Sequence, residues 1–221
     1  MSRRAATTTA GDARSQILSA AETLFAEHGS GSVSLREVNR AAGQANATAV
    51  QYHFTDRAGL LRAILAKHRP GIDVRRHALL DAYEEAGEPA LRPLAAALVA
   101  PIAAKLDDPD GGRAYLRIMA EVVGRPDPKP SRSALSDPDD SLYRWRTLLE
   151  PLLDPTATQA FHLRFTAHRF AHLELGVRAA SRRRRDDRLF VSHLTDVVAS
   201  ILATPLSPPT ARLLAERDGA R

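Results

Sequence analysis

Apolar residues recur every three to four positions along most of the chain, and this spacing predicts helices. Strand patterns, in which apolar and polar residues alternate, are essentially missing. The sequence therefore predicts an all-α protein. Three short helices are expected first: one with Ile17, Leu18, Ala21, Leu24 and Phe25 that ends at Gly29, one from a Ser34 cap to Gly43, and one from Asn46 to about Phe54.

Longer helices are predicted after these three. The fourth begins near Asp56, whose carboxylate suits a helix N-terminus, and is expected to end before Pro70. The segment 124–140 holds four prolines and is predicted to be a loop, after which helical spacing resumes with Leu142 and Trp145. Amphipathic helices are further predicted over residues 72–85, 89–106, 112–123, 156–181 and 189–203.

The composition of the chain excludes several classes of protein and of site. Hydrophobic residues make up 44% of the chain, as in globular proteins, and there is no Cys, which excludes disulfides, thiolate metal sites and a Cys nucleophile. The N-terminal residues contain no apolar run, and no stretch of eighteen uncharged apolar residues occurs. We therefore expect no signal peptide, no membrane contact and a cytoplasmic location.

The net charge of +5 is concentrated in the first third of the chain. Residues 1–70 hold nine Lys and Arg against five Asp and Glu, whereas residues 71–221 hold twenty-two against twenty-one. Such a bias is expected if the first third faces a polyanion, although ordinary variation of a protein surface would also produce it.

Three short helices with a Gly between the second and the third predict a helix-turn-helix. Ala41, Ala42 and Gly43 would let the two helices cross closely. In this motif the third helix enters the major groove of DNA by its N-terminal residues. Asn46 is expected to cap that helix.

The segment 17–61 resembles the N-terminal domain of the tetracycline-repressor-like (TetR) regulators. The family usually has ten residues from the turn Gly to the Phe of the third helix, whereas Gly43 to Phe54 spans eleven, so an extra residue is expected in Gln44–Asn46. Asn39 stands where Ala is usual, and Gln51 where Tyr is usual. The resemblance is carried by Ala20-Ala21, Leu24-Phe25, Gly29, Leu35-Arg36-Glu37-Val38, Ala42-Gly43, Tyr52-His53-Phe54, Arg57 and Leu60-Leu61.

The resemblance implies a regulator, expected to be a repressor, that binds a palindromic operator as a homodimer. It implies a disordered arm of about ten residues, a DNA-binding domain over 12–56, an effector-binding and dimerisation domain over 57–204, and a tail over 205–221. The dimer would form through the helices of 156–181 and 189–203. For His53, packing within the domain is an equal alternative. The implied DNA contacts are Ser34, Arg36, Gln44, Asn46, Thr48, Gln51, Tyr52, His53 and Arg57.

An effector pocket is expected in the C-terminal domain. Aromatic residues make up only 5% of the chain, so the pocket would be mostly aliphatic and the effector apolar or amphipathic. Aromatic and Met residues in such stripes lie in the core more often than at a ligand site. The candidate pocket residues are Tyr115, Met119, Trp145, Phe161, Phe165 and His168.

Two further features have competing interpretations. His168 and His172 are four residues apart and could bind a metal, but Arg169 stands where a zinc protease needs its Glu, and no third ligand is evident. Histidines of a pocket or an interface are therefore favoured, and neither a metal nor a cofactor is expected. The run Arg182–Arg185 suggests a second nucleic-acid patch or, more simply, a solvated loop between helices.

Two other functions compete with DNA-binding regulation. An enzyme is disfavoured because the sequence lacks a Gly-rich phosphate loop, a nucleophilic Ser elbow and a carboxylate pair in a clear structural context. A helical protein-interaction module of the same fold, without specific DNA binding, remains open because the turn before the third helix is altered.

Overall fold

The computed structural model describes residues 10–46, 48–126, 136–182 and 186–219. All regular secondary structure in these ranges is helical, which confirms the all-α prediction. Short 3-10 helices, Ala104–Leu106 and Glu150–Leu152, follow the fifth and seventh helices. The helices are α1 (Ala10–His28), α2 (Leu35–Ala41), α3 (Ala49–Phe54), α4 (Arg57–Ala86), α5 (Leu91–Ala103), α6 (Gly112–Gly124), α7 (Ser141–Leu149), α8 (Pro155–Phe161), α9 (Leu163–Ala180), α10 (Arg188–Leu202) and α11 (Pro208–Gly219).

The first three helices surround a small apolar core of their own, and we term α1–α3 the reading head. α1 ends at Gly29, whose φ of 85° is a left-handed conformation that glycine adopts without strain. The start of α4 and one side of α6 complete this core. Its fully buried members include Ile17, Ala21, Phe25, Val38, Val50, Leu60, Ile64 and Ile118.

α4 corrects the prediction of a break at Pro70, because the helix continues through this residue to Ala86. Proline removes one backbone hydrogen bond, but tertiary burial along one face holds the helix together. The helix end predicted at Pro70 was therefore wrong. Two members of the buried face are polar, and they interrupt the apolar pattern that would have shown that the helix continues. Every fourth residue of that face is buried: Leu60, Ile64, His68, Ile72, Arg76 and Leu80.

The remaining helices surround a larger core. α5 lies inside it, packed against α4 on one side and α10 on the other, while α9 packs along α6. Gly176 of α9 allows that close approach, since a Cβ atom there would lie 2.3 Å from the Cβ of Ala120. The buried centre includes Leu94, Leu98, Ile102, Leu106, Leu116, Trp145, Leu149, Leu175, Leu194 and Val198.

The predicted helix over 156–181 is two helices. α8 ends at Phe161 and α9 begins at Leu163, with His162 between them at a φ of 53°. The helix predicted over 189–203 is present as α10, and the tail forms α11, which has no buried residue. Most of the predicted loop 124–140, three residues of the Arg182–Arg185 run and the first nine residues lie outside the described residues.

α6 belongs to both cores. Ile118 is buried in the core of the reading head, whereas Tyr115 and Leu116 are buried in the C-terminal core. The first turns of α4 likewise pack against the reading head through Leu60 and Ile64. The domain boundary placed at residue 56 stays a prediction.

Candidate nucleic-acid interface

α3 has one buried and one exposed side. Val50 and Phe54 point into the core of the reading head, while Gln51 and Tyr52 face outward. Tyr52 is 82% exposed, although it is a large aromatic side chain. The second helix of a helix-turn-helix presents such an outer face to the major groove.

His53 lies at the edge between these two sides. Its ring meets the ring of Tyr52 edge-on, with 5.0 Å between centroids, and lies 6.2 Å from the ring of Phe54. The guanidinium of Arg14 on α1 covers the Phe54 ring at 5.0 Å. These contacts give His53 a packing role within the domain, and a DNA contact by this residue stays a prediction.

The turn before α3 is longer than expected, and α3 begins at Ala49 rather than at Asn46. The predicted Asn46 cap was wrong, because Thr48 is the N-cap residue and no side chain caps the helix. Asn46 instead orders the turn before it. Its Oδ1 accepts hydrogen bonds from the backbone N of Thr48 at 2.9 Å and from the Thr48 hydroxyl at 2.8 Å. This local turn is typical of Asn, and both side chains remain exposed.

Asn39, to which sequence reasoning assigned no role, anchors this turn. Its side chain is buried, and its Oδ1 accepts a hydrogen bond from the backbone N of Val50 at 3.2 Å. Its backbone carbonyl accepts a hydrogen bond from the backbone N of Gln44 at 3.0 Å. A buried amide needs such partners, so the replacement of the usual Ala was the signal that could have revealed this role.

Two predicted DNA contacts are hydrogen-bonded inside the protein. The Gln44 side chain donates to Gln16 Oε1 and to the Ala42 carbonyl, both at 3.1 Å. Arg57 Nη1 donates to the carbonyls of Ser30 and Gly31 at 2.8 and 2.5 Å. DNA contacts by Gln44 and Arg57 stay predictions. To contact DNA, each side chain would have to break these internal hydrogen bonds.

α2 presents the remaining predicted contacts. The predicted Ser34 cap is confirmed: the Ser34 hydroxyl accepts from the Glu37 backbone N, and the Ser34 backbone N donates to the Glu37 carboxylate. These hydrogen bonds with Ser34, side chain first and backbone second, hold the pKa of Glu37 below its usual value. Arg36 and Arg40 are exposed on the same helix and supply positive charge beside α3.

The six predicted pocket residues lie in different surroundings. Tyr115 and Trp145 are buried, and the Trp145 indole N–H donates to the carbonyl of Leu94 at 2.7 Å. Burial raises the pKa of the Tyr115 phenol. Phe161 is exposed at the end of α8. The two clefts described, about 410 and 220 Å³ in volume, are lined by none of the six. The half-buried members are Met119, Phe165 and His168.

Sequence reasoning missed two polar connections between the reading head and the rest of the protein. In the first, the buried Glu22 of α1 lies 2.5 Å from His68 Nε2 and accepts from Lys67 Nζ at 2.8 Å. Lys67 also donates to Asp110 at 2.7 Å. Burial opposes the charge of Lys67, but its hydrogen bonds to Asp110 and Glu22 outweigh that cost and raise its pKa.

The second connection joins α6 to the end of α1. The buried Ser30 donates from its backbone N at 2.8 Å and from its hydroxyl at 2.6 Å to the Glu121 carboxylate. Arg125 donates to the same carboxylate at 3.0 Å. Partial burial acts to raise the pKa of Glu121, but the bonds from Ser30 and Arg125 outweigh it and lower the pKa.

The reading head and its outward-facing α3 define a helix-turn-helix protein of the DNA-binding class. Residues 17–64 match the family described as bacterial regulatory proteins, tetR family. The resemblance noted in the N-terminal residues is thereby confirmed over this segment.

Comparison with solved structures found AmtR from Mycobacterium smegmatis, at 20% sequence identity and a TM-score of 0.48, with 100% of this chain and 99% of that chain covered. No curated protein matches the chain. None of the helices in the described ranges combines the length and apolar character needed to cross a membrane. Among the same residues, no three His, Cys, Asp or Glu side chains are grouped so that they could hold a metal.

Proposed function

We propose that the chain is a ligand-responsive repressor that binds a palindromic operator as a homodimer and leaves it when a small apolar or amphipathic effector binds. The observation that carries this proposal is the exposure of Tyr52 and Gln51 on a helix whose opposite side is buried. Apart from its edge-on contact with His53, the Tyr52 ring contacts little of its own protein. It is therefore available to phosphates and base edges.

Dimerisation is supported by apolar side chains on α9 and α10. Val177 is 66% exposed and Leu189 is 85% exposed. Burial of such side chains between two copies would contribute favourable free energy, about 25 cal/mol for each Å² of apolar surface removed from water. A two-fold dimer formed there would present two copies of α3, and their separation would set the spacing of the operator half-sites.

Control by an effector is supported by the connections across α6 and α4. Glu121 of α6 holds Ser30, and His68 of α4 holds Glu22 of the reading head. A ligand that shifts α6 or α4 within the C-terminal core would therefore move the reading heads of a dimer relative to each other. It would lower the affinity for DNA to the extent that it binds the shifted form more tightly.

A protein-interaction module without specific DNA binding is the second candidate, because Gln44 and Arg57 are engaged by internal hydrogen bonds. The two functions differ in their response to salt. Operator fragments can be selected from random duplex DNA and their affinity measured by fluorescence anisotropy between 50 and 300 mM KCl. For a DNA-binding regulator, the logarithm of the association constant should fall steeply and linearly with the logarithm of the salt concentration. If no duplex binds at any salt concentration, the interaction module is favoured.

A further inference from the structure

A group of polar side chains lies inside the C-terminal domain, away from the exposed face of α3. Arg76 of α4 is 5% exposed and His172 of α9 is 2% exposed, while Ser141 of α7 is fully buried. The half-buried His168 lies one turn before His172 on the same face of α9. We term Arg76, His168 and His172 the interior polar cluster. Charged and polar groups are costly at such positions unless they find partners.

Arg76 brings a positive charge into this core. Its Nε donates to the Ala97 carbonyl at 3.2 Å, and its Nη1 donates to the Ser141 hydroxyl at 2.8 Å. The carboxylate of Asp73 lies 3.8 Å from Nη1, and it also accepts bonds from the Ser141 hydroxyl at 2.5 Å and from Arg69 Nε at 3.1 Å. Asp73 is thus shared between two guanidinium groups. Asp140, which pairs with Arg69, also acts on Arg76, and the charge of Arg76 still acts on both histidines.

The two histidines offer hydrogen-bonding atoms that the protein does not use. Their rings are 4.5 Å apart between centroids, and neither ring has a hydrogen-bond partner among the residues that the structure describes. Nδ1 of His172 is completely buried without a partner. An unsatisfied buried polar atom costs roughly 1–3 kcal/mol. A ligand that supplied the missing partner would recover this cost on binding.

Both imidazoles are neutral near pH 7. Loss of hydration, followed by the charge of Arg76, lowers the pKa of His168 to about 4. The pKa of His172 is lowered well below its usual value by burial first, then by His168 and Arg76. A neutral imidazole carries one N–H donor and one acceptor. The cluster therefore combines donors with a positive field, and this combination suits an oxygen anion.

We propose that the effector carries an acidic group, such as a carboxylate, which binds to His168 and His172 in the field of Arg76. This inference rests on the proposed function of the chain as a ligand-responsive regulator, and it names the chemistry of the ligand. The positive charge of Arg76 disfavours a cationic ligand. The rest of the effector would be apolar, because Met119 and Phe170 pack against the same core.

Three acids test the inference: octanoate, phenylacetate and benzoate, each compared with its own uncharged amide. Binding is measured on the full-length protein without DNA, from the melting temperature and from the fluorescence of Trp145, the single tryptophan of the sequence, which lies in the same core. We expect at least one acid to bind saturably and at least tenfold more tightly than its amide. If no acid binds more tightly than its amide, the inference is wrong.

A pair of histidine variants locates the binding site. His172→Leu removes the unpartnered nitrogen and should weaken binding of that acid at least tenfold, with little change for the amide. His193→Leu, on the exposed side of α10, is the matched control and should bind as the unchanged protein does. Equal binding of the acid by His172→Leu and His193→Leu would overturn the proposed site.

A failure of this inference can be distinguished from a failure of the proposed function. An acid that binds through His172 but leaves operator affinity unchanged would support the chemistry of the site and contradict release by this effector. Operator binding in a protein that prefers no acid over its amide would uphold the regulator and contradict the acidic effector.

Discussion

Glu22 of α1 and His68 of α4 face each other at 2.5 Å, and both side chains are buried. Lys67 adds a second bond to the same carboxylate. Gly111, at the start of α6, also lies against Glu22, and its φ of 80° and the missing Cβ allow this approach. The Glu22 carboxylate of the reading head therefore contacts residues of α4 and of the segment that leads into α6.

Replacing Glu22 with Gln should destabilise the protein by roughly 1–3 kcal/mol, because Lys67 and His68 lose a buried charged acceptor. Urea denaturation gives the free energy of unfolding. Glu27→Gln, an exposed change on the same helix, should stay within about 0.5 kcal/mol of the unchanged protein. Similar values for the two variants would mean that the Glu22 pair contributes little.

Asn39→Ala should loosen α3 while the C-terminal core stays intact. The change leaves the backbone N of Val50 without its acceptor and removes the anchor of the longer turn. Hydrogen exchange followed by mass spectrometry should show faster exchange in 49–54 and unchanged exchange in α9 and α10. Unchanged protection of α3 would show that the turn does not depend on this side chain.

Stability should fall as the pH is lowered from about 6.5 toward 4, because the unfolded chain then binds protons that His168 and His172 do not accept in the folded state. Each histidine contributes up to about 1.4 kcal/mol per pH unit in this window. Measurements between pH 7.5 and 5.0 avoid most carboxylate titration, since carboxyl groups with lowered pKa values, such as Glu121, titrate at lower pH.

His172→Leu provides the test of that assignment. Removal of one buried imidazole should flatten the dependence of unfolding free energy on pH, whereas His193→Leu should leave the slope as it was. An undiminished slope in His172→Leu would assign the effect to other groups.

Gly176→Ala should disturb the contact between α9 and α6. A Cβ atom at this position would lie 2.3 Å from the Cβ of Ala120 and 3.2 Å from the carbonyl O of Leu116, so the two helices must move apart. Overpacking of this kind costs about 1–3 kcal/mol. Gly219→Ala is a suitable control, because no atom lies within 4 Å of the added Cβ there, and thermal unfolding of the two variants gives the comparison.

The helices of the reading head could be predicted closely from local signals. Ser34 caps α2 as expected and Gly29 ends α1, and Asp56 caps α4, which follows them. The expected Asn46 cap of α3 is absent. The confirmed features depend on residues within one turn of each other, so a single sequence contains the information. The longer helices were harder to predict from the sequence. α4 continues through Pro70, and the polar residues His68 and Arg76 lie on its buried face.

Contacts between distant residues could not be read from the sequence. Arg57 stands where the resembled family has a basic residue, yet its guanidinium bonds to carbonyls of the segment between α1 and α2. The pairings of Glu22 with His68 and of Glu121 with Ser30 join residues 46 and 91 positions apart. No spacing rule connects such pairs, because tertiary packing alone determines which side chains meet.

The role of α3 is tested most directly by measuring the operator affinity of Tyr52→Ala beside that of Leu213→Ala, which shortens an exposed side chain of α11. If the outer face of α3 contacts DNA, Tyr52→Ala should bind the operator at least tenfold more weakly, a loss of about 1.4 kcal/mol. Its unfolding free energy should be unchanged, and Leu213→Ala should bind normally. Equal operator affinity for the two folded variants would contradict the assignment of α3 as the DNA-reading helix.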